Sequence, residues 1–374
     1  MTESSTPPPV PPPRPKKPIA GKYELLEIAG RGGMSTVWRA IQHGPGRFRR
    51  TVAVKQMYPH LAEQKLYREM FLEEARVAAE LKDPNIAQVH DFLLDGGNYY
   101  LVLEWIEGID LYTYIDYVVN HCHDRTEWDL MVAVTIGLLR GLAAAHERVD
   151  EVGDPQPIIH RDVTPHNVLI SLEGRARLID FGLALARDRV GEDTDPGIAK
   201  GKFAYLAPEV VRGGRPVPAS DQFSAGAMLW EALIGSRLFA AKTQMETLRR
   251  VAEAKVMPLS VERPELPSGL TRAVHRALSL NVEDRFPSVR EMANQLGGVL
   301  AQSARAKDTY AELGRTVVTA RQQLGLGHRP RKGSRAESPL PVQEESGIIE
   351  LESVDLKPAG ILGWLPGLLK PFKR

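Results

Sequence analysis

The chain has 374 residues, enough for one large domain or two small ones with a substantial core. Hydrophobic residues make up 43% and charged residues 25%, an ordinary globular balance. The 48 basic and 47 acidic side chains nearly cancel, which excludes a bulk electrostatic drive toward nucleic acid. The lone cysteine, Cys122, excludes an internal disulfide and a multi-cysteine metal site. There is no apolar stretch behind a basic start, and no run of about 18 uncharged apolar residues as a membrane span needs. A cytoplasmic protein is expected.

Pro7 to Pro18 is proline-dense and carries Arg14, Lys16 and Lys17. Residues 1–22 therefore read as an extended leader without a core, either disordered or a ligand for a proline-reading domain. From Tyr23 to about Ile106 the runs Tyr23–Ile28, Ser35–Ile41, Thr51–Met57, Ile86–Leu94 and Tyr99–Glu104 predict strands, interrupted by one helix, Lys65–Leu81. From 107 to 300 the sequence predicts helices: Leu111–Asn120, Trp128–Glu147, Ser220–Ile234, Gln244–Ala254, Leu270–Ser279 and Val289–Ala301. A small β-rich lobe (23–106) followed by a larger α-helical lobe (107–300) is an α+β architecture with room for a cleft between lobes. Residues 301–324 read as a helical extension, 325–358 as a polar linker. The apolar, basic-ended tail 359–374 reads as a segment that docks on protein or on a membrane surface.

Several motifs carry chemistry. Gly30-Arg-Gly32-Gly33-Met-Ser35-Thr-Val37 joins two strand-like runs, and is either a plain turn or a loop whose N–H groups approach phosphate oxygens. It precedes a strand, which disfavours a dinucleotide-binding fold, where such glycines open a helix. In Val52-Ala53-Val54-Lys55, alternation sets Ala53 and Lys55 on one face, so Lys55 is either a solvated edge lysine or faces an anion. On the helix 65–81, Leu66, Met70, Val77 and Leu81 make an apolar stripe, with Glu69, Glu73, Arg76 and Glu80 opposite. Glu74 falls within the stripe. It lies at its edge or needs a cationic partner, for which Lys55 is the candidate. His160-Arg-Asp162-Val-Thr164-Pro-His-Asn167 and Asp180-Phe-Gly182 supply two carboxylates and an amide suited to a substrate hydroxyl and a hard cation. His121 and His123 flank Cys122 but have no second cluster, and read as a helix-end loop.

Taken together, these motifs resemble a bacterial, eukaryotic-like (Hanks-type) serine/threonine protein kinase from Tyr23 to about Leu300. The resemblance implies a two-lobed kinase fold, ATP and Mg²⁺ as cofactors, protein substrates, and transfer of the γ-phosphoryl group to Ser/Thr hydroxyls, including the chain's own. It implies that Ala29, Gly30, Arg31, Gly32, Gly33, Met34, Ser35, Thr36 and Val37 bind the nucleotide, Gly30, Gly32, Gly33 and Ser35 covering the phosphates, with Ser35 where a third glycine usually lies. Lys55 would contact the α/β-phosphates and pair with Glu74, Asp162 would take or orient the substrate hydroxyl, and Asn167 and Asp180 would bind the metal. Val37, Ala53 and Leu169 would enclose adenine, the backbone of Glu104 and Ile106 would bond its edge, and Leu103 would guard a back pocket. Ala207-Pro208-Glu209 matches the end of the activation segment, Arg285 the partner of that glutamate, and Asp221 the residue that braces the catalytic loop.

Two positions depart from the family pattern. The lysine usual two residues after the catalytic aspartate is Thr164, and the threonine usual after Gly201 is Lys202. The pair reads as a reciprocal swap in which Lys202 stabilises charge on the phosphoryl group, or as a solvent-facing lysine and a turn-capping threonine. Thr194 is the only hydroxyl between Asp180 and Gly201, and is a candidate phosphosite opposite Arg161 or a plain loop residue. The connection from His146 to His160 is long and reads as an exposed hairpin. A nucleotide-binding pseudokinase scaffold and a small-molecule kinase are the competing functions.

Overall fold

The computed structural model describes residues 17–150, 152–181 and 201–326. The chain divides into two units, Met1–Val342 and Gln343–Arg374, and all described residues belong to the first. The leader up to residue 16, Gly182, Thr194, the linker from 327 onward and the tail 359–374 lie outside the described residues.

The first lobe is a five-stranded antiparallel sheet. Its strands are β1 (Tyr23–Arg31), β2 (Ser35–His43), β3 (Arg49–Met57), β4 (Val89–Asp95) and β5 (Asn98–Glu104), in the order β1-β2-β3-β5-β4. Period-2 alternation sends Trp38, Ala40, Val52, Val54, Tyr100 and Val102 to one face, where they pack with Ile19, Tyr23 and Leu25. The other face carries Met57 and Leu101 against helix α1 (Lys65–Glu80).

The buried side of α1 is Phe71, Glu74, Ala75 and Ala78. The expected stripe is thus partly rotated: Leu66, Met70 and Val77 are half-buried, whereas Leu81 is buried as expected and, with Val77 against it, packs into the large core of the second lobe rather than on the sheet. Glu73, Arg76 and Glu80 lie on the polar face as expected, and there Arg76 pairs with both glutamates. The helix stops before Pro84, which cannot continue it.

The expected strand Ile86–Leu94 is divided between the lobes. Only Val89 onward joins the sheet. Ile86 bridges in parallel to Leu178, and Ala87 donates its N–H to the Leu178 carbonyl at 3.0 Å. A run of apolar residues shows that a segment is buried but not which sheet buries it.

The second lobe contains a small sheet, β6 (Gly108–Asp110), β7 (Val168–Ser171) and β8 (Ala176–Leu178), and the helices α2 (Leu111–Asp116), α3 (Trp128–His146), α4 (Pro218–Ile234), α5 (Gln244–Glu253), α6 (Ser268–Ala277) and α7 (Val289–Leu300). α2 is shorter than expected and passes into a π-helical turn, Tyr117–His121, that ends beside the exposed Cys122. α4 and α6 each begin two residues earlier than expected. Pro218 opens α4 at the one place where its missing N–H costs nothing. α3 and α4 are apolar on nearly every side and form the centre of the lobe. By length and composition α3 is apolar enough to cross a membrane, but 83% of its apolar window is buried inside this lobe. The extension begins with turns at 301–308 and continues as helix α8 (Thr309–Gln323). The connection after α3 forms the expected hairpin, with Val149 bridging Pro155 and Val152 exposed.

On α4, Glu231 is fully buried and accepts the Tyr205 hydroxyl at 2.5 Å. Burial pushes its carboxyl from the ordinary 4.5 up to about 7, against the pull of the Arg237 charge and the Tyr205 hydrogen bond. A carboxyl whose folded value exceeds its unfolded value stabilises the fold most at low pH, and that contribution is lost as pH rises through about 7. The thermal midpoint should therefore show a declining component between pH 5 and 8 that Glu231→Gln removes. An identical pH slope in wild type and variant would overturn this.

Candidate active site

The residues between the lobes are placed by a few buried polar anchors. Asp221, in the first turn of α4 and 1% exposed, accepts the His160 N–H at 2.8 Å on one carboxylate oxygen and the Arg161 N–H at 2.8 Å on the other. His146, at the end of α3, bonds the same carboxylate at 2.7 Å. This clamp holds Arg161 at φ +66°, a left-handed conformation that a side chain tolerates only where surrounding contacts enforce it. His160 is itself buried. Its Nδ1 accepts the Asp162 N–H at 3.3 Å, so its Nε2 carries the proton and donates to the Ile179 carbonyl at 3.0 Å. The turn that presents Asp162 is thereby tied to the segment that presents Asp180.

Asp180 also has positive φ, +60°, and the following Phe181 is buried with its ring edge against His160, 4.7 Å between centroids. Its carboxylate meets Lys55 at 2.8 Å, and Lys55 meets Glu74 at 2.5 Å. The expected Lys55–Glu74 pair is present, and both open alternatives, the edge lysine and the stripe-edge glutamate, are excluded by exposures of 3% each. Burial alone would lower the Lys55 ammonium, but the charges of Asp180 and Glu74 outweigh it and raise it. Burial pushes Glu74 up to about 7, with the Lys55 charge opposing and the Asp180 carboxylate adding to the push. Asp180 moves the other way. Burial works against it, yet the Lys55 charge and hydrogen bond hold it below its usual range, so it is anionic at neutral pH.

Asn167 donates to the Asp162 carbonyl at 2.7 Å and to its Oδ2 at 3.0 Å, which turns the amide oxygen of Asn167 away from that carboxylate. Lys202 does not point to solvent. Its Nζ lies 2.5 Å from the Asp162 carboxylate, and its side chain is 24% exposed. Thr164 is buried. Its carbonyl takes the Asn167 N–H at 3.0 Å, and among the described residues its hydroxyl has no partner, so the side chain caps nothing. Lys202 thus brings an ammonium to the turn of Asp162 from 40 residues downstream.

The register of the first sheet places the remaining expected residues. Val37 lies opposite Lys55, and Ala53 lies opposite Leu103, so all four share the face that carries Lys55. Leu103 lines an apolar pocket behind the Lys55–Glu74 pair, with Ala78, Ala87, Leu101 and Phe181. Leu169 is half-buried on β7, two residues after Asn167. Ala29, Gly30 and Arg31 end β1, whereas Ser35 and Thr36 are buried within β2, leaving Gly32, Gly33 and Met34 as the tip. The tip is closed by the Gly32 N–H on the Ser35 carbonyl at 2.8 Å. Gly30 and Gly32 do not use positive φ. The space beside Gly30 is open, and a Cβ on Gly32 would meet only Ser35, its carbonyl oxygen at 3.7 Å and its hydroxyl at 4.0 Å. The Glu104 N–H is committed to the Gln88 carbonyl at 2.8 Å, so an adenine at this edge must use the Glu104 carbonyl and the Ile106 backbone.

The platform below the site is equally fixed. Arg285 is 1% exposed and forks onto Glu209 at 2.8 and 2.9 Å, with its remaining N–H groups on the Ala219, Ser279 and Leu280 carbonyls. Burial works against the Glu209 charge, but Arg285 and the Ser220 hydroxyl hold its carboxyl below the usual range. Sequence reading missed His146 and Ser220. Neither belongs to a local motif, and the only signal is three-dimensional.

The protein kinase domain model matches residues 23–296. The chain belongs to the protein kinase family. Within it, the chain falls among the bacterial Hanks-type kinases: it is 31% identical over 288 residues to the serine/threonine-protein kinase PknA of Mycobacterium tuberculosis, covering 76% of this chain and 62% of that one. It is 34% identical over 282 residues to the tyrosine-protein kinase MasK of Myxococcus xanthus, covering 75% of this chain and 43% of that one. The chain thus spans about two fifths to three fifths of the length of these relatives. The crystal structure of the M. tuberculosis PknI kinase domain superposes with a TM-score of 0.57 at 25% identity, covering 76% of this chain and 97% of that one. The expected two-lobed fold is the observed one.

Replacing Asp221 by Asn leaves a buried amide facing two N–H donors with only one acceptor oxygen. Asp221→Asn should destabilise the protein by about 1.5–3 kcal/mol in urea unfolding, the worth of hydrogen bonds to a charged group. Unchanged stability would show that the clamp is not under load.

Proposed function

We propose that the protein transfers the γ-phosphoryl group of ATP to serine and threonine hydroxyls of proteins, its own included. The observation that carries this reading is the chain of contacts Glu74–Lys55–Asp180 beside Lys202–Asp162–Asn167, which brings two lysine ammoniums, two charged carboxylates and an amide together between the lobes. Pseudokinase scaffolds lack such complete sets. The Arg285–Glu209 platform supports a protein substrate over a small metabolite.

The residues present suit Mg²⁺: Asp180 is held anionic, about a third exposed, and Asn167 turns its amide oxygen away from Asp162, giving the hard oxygen donors this ion prefers. When bound, the ion would neutralise phosphate charge. Lys55 would hold the α/β-phosphates, and its two carboxylate partners fix its position before nucleotide arrives. Asp162 would orient the attacking hydroxyl and receive its proton as the new O–P bond forms and the bond to the ADP oxygen breaks. Lys202 would face the charge that develops on the transferring group, the task given elsewhere in the family to the lysine replaced here by Thr164. A requirement for ATP supports placing the catalytic domain in the cytoplasm.

Tyrosine is the second reading. It is favoured by the name of the 34%-identical relative and by the absence of the lysine and threonine that usually accompany serine/threonine transfer. Mass spectrometry after incubation with Mg-ATP decides between them. Phosphoserine and phosphothreonine are expected, and phosphotyrosine alone would reverse the assignment. Asp162→Asn should reduce transfer by about 10²-fold or more while ATP still binds. Lys202→Met should reduce turnover by about 10²-fold with little change in KM for ATP, as loss of a transition-state contact does. Near-normal turnover of the Lys202 variant would sink its role.

A further inference from the structure

Helix α8 lies beyond the residues matched by the family model, and every residue used above precedes it. It is nevertheless seated as part of the core. Leu313, Val317 and Ala320 are fully buried. Gly174, in the β7–β8 turn, and Gly314, on α8, let backbones touch: a Cβ on Gly174 would fall 2.0 Å from the Tyr310 carbonyl oxygen, and one on Gly314 would fall 2.3 Å from that of Leu172. Near the far end of the helix, the Tyr117 hydroxyl donates to Gln323 at 2.8 Å.

This seating brings Arg321 to the start of β6, just after the connection between the lobes (the hinge, Glu104–Glu107) that holds the expected adenine-edge residues Glu104 and Ile106. One arm of its guanidinium donates to the Gly108 carbonyl at 2.5 Å, and the other pairs with the Glu107 carboxylate. The second Glu107 oxygen takes the Trp105 indole N–H at 2.8 Å, and the Glu107 carbonyl takes the Leu172 N–H at 3.0 Å. Ile106 therefore sits between two tethered residues, Trp105 and Glu107, and Arg321 anchors the far side of the tether. The Arg321 side chain is only 16% exposed, so its charge-assisted bonds are weakly screened.

We infer that Arg321 is a positioning residue for the nucleotide: acting from outside the matched domain, it orders the 105–108 segment so that the Ile106 backbone meets the adenine edge already aligned. The inference rests on the hinge reading above. A rigid planar fork suits the task because it fixes two acceptors in one geometry, and ordering done before binding is not charged against affinity.

The test uses the full chain, with calorimetric binding of Mg-ATP and phosphorylation of dephosphorylated casein as the activity probe. Arg321→Met should raise Kd and KM for ATP about tenfold, as loss of a charged hydrogen bond would. Turnover at saturating ATP should stay within about twofold, the signature of lost uniform binding. Arg321→Lys, which keeps the charge without the fork and guards against a folding defect in the first variant, should fall between. Glu107→Gln combined with Arg321→Met should be less than additive. An unchanged Kd in both Arg321 variants, or a fall in turnover without a change in Kd, would overturn the inference. Failure of the wild-type chain to bind ATP would instead overturn the nucleotide reading on which it rests.

Discussion

Asp221 accepts two consecutive backbone N–H groups from one turn while buried almost completely, and the placement of the reacting side chains follows from that clamp. A carboxylate removed from water is costly unless its lone pairs are filled. Here His146 supplies a third partner, so the burial is compensated and the turn at Arg161 is held in a conformation it would not adopt alone. His160 then carries the constraint onward, because its two ring nitrogens bind the Asp162 amide and the Ile179 carbonyl. The Asp162 and Asp180 carboxylates are thereby set by one rigid network rooted in α4.

The electrostatics of the cleft rest on an imbalance. Two carboxylates flank the single Lys55 ammonium, and only one of them, Asp180, is held clearly below its usual range. Glu74 is deeper, and burial pushes it toward protonation at about 7. The deeper partner fixes the lysine, while the shallower one keeps its charge available toward the cleft. Lys202 balances the other side, contacting Asp162 from a segment that sequence order places far away. The Lys202 ammonium thus lies against the turn in which Thr164 stands, although neither residue is near the other in sequence.

The extension beyond residue 300 joins this scheme mechanically. α8 closes the lobe's core through Leu313, Val317 and Ala320 and meets the β7–β8 turn at two glycines. It also reaches the connection between lobes through Arg321. The segment Glu107–Gly108 is therefore held by a helix that short motif reading assigns only to an appendage.

Much of the site was legible in the residues themselves. Lys55, Glu74, Asp162, Asn167 and Asp180 sit in local motifs that carry the family resemblance from which their roles are expected, and the α+β lobes follow from hydrophobic periods of 2 and 3.6. Arg285 and Glu209 were legible only as a resemblance, since 76 residues separate the partners of that fork. What the sequence by itself determined was which segments are strands or helices and which side chains can carry charge chemistry, because those properties are local. The tertiary structure alone decided which face of α1 is buried, that Ile86 and Ala87 pair with β8, that Lys202 turns to Asp162, that His146 reaches Asp221, and that Arg321 reaches Glu107 and Gly108. Each of these depends on where a distant surface lies, and burial, pairing and charge contact are properties of two surfaces that no single segment encodes.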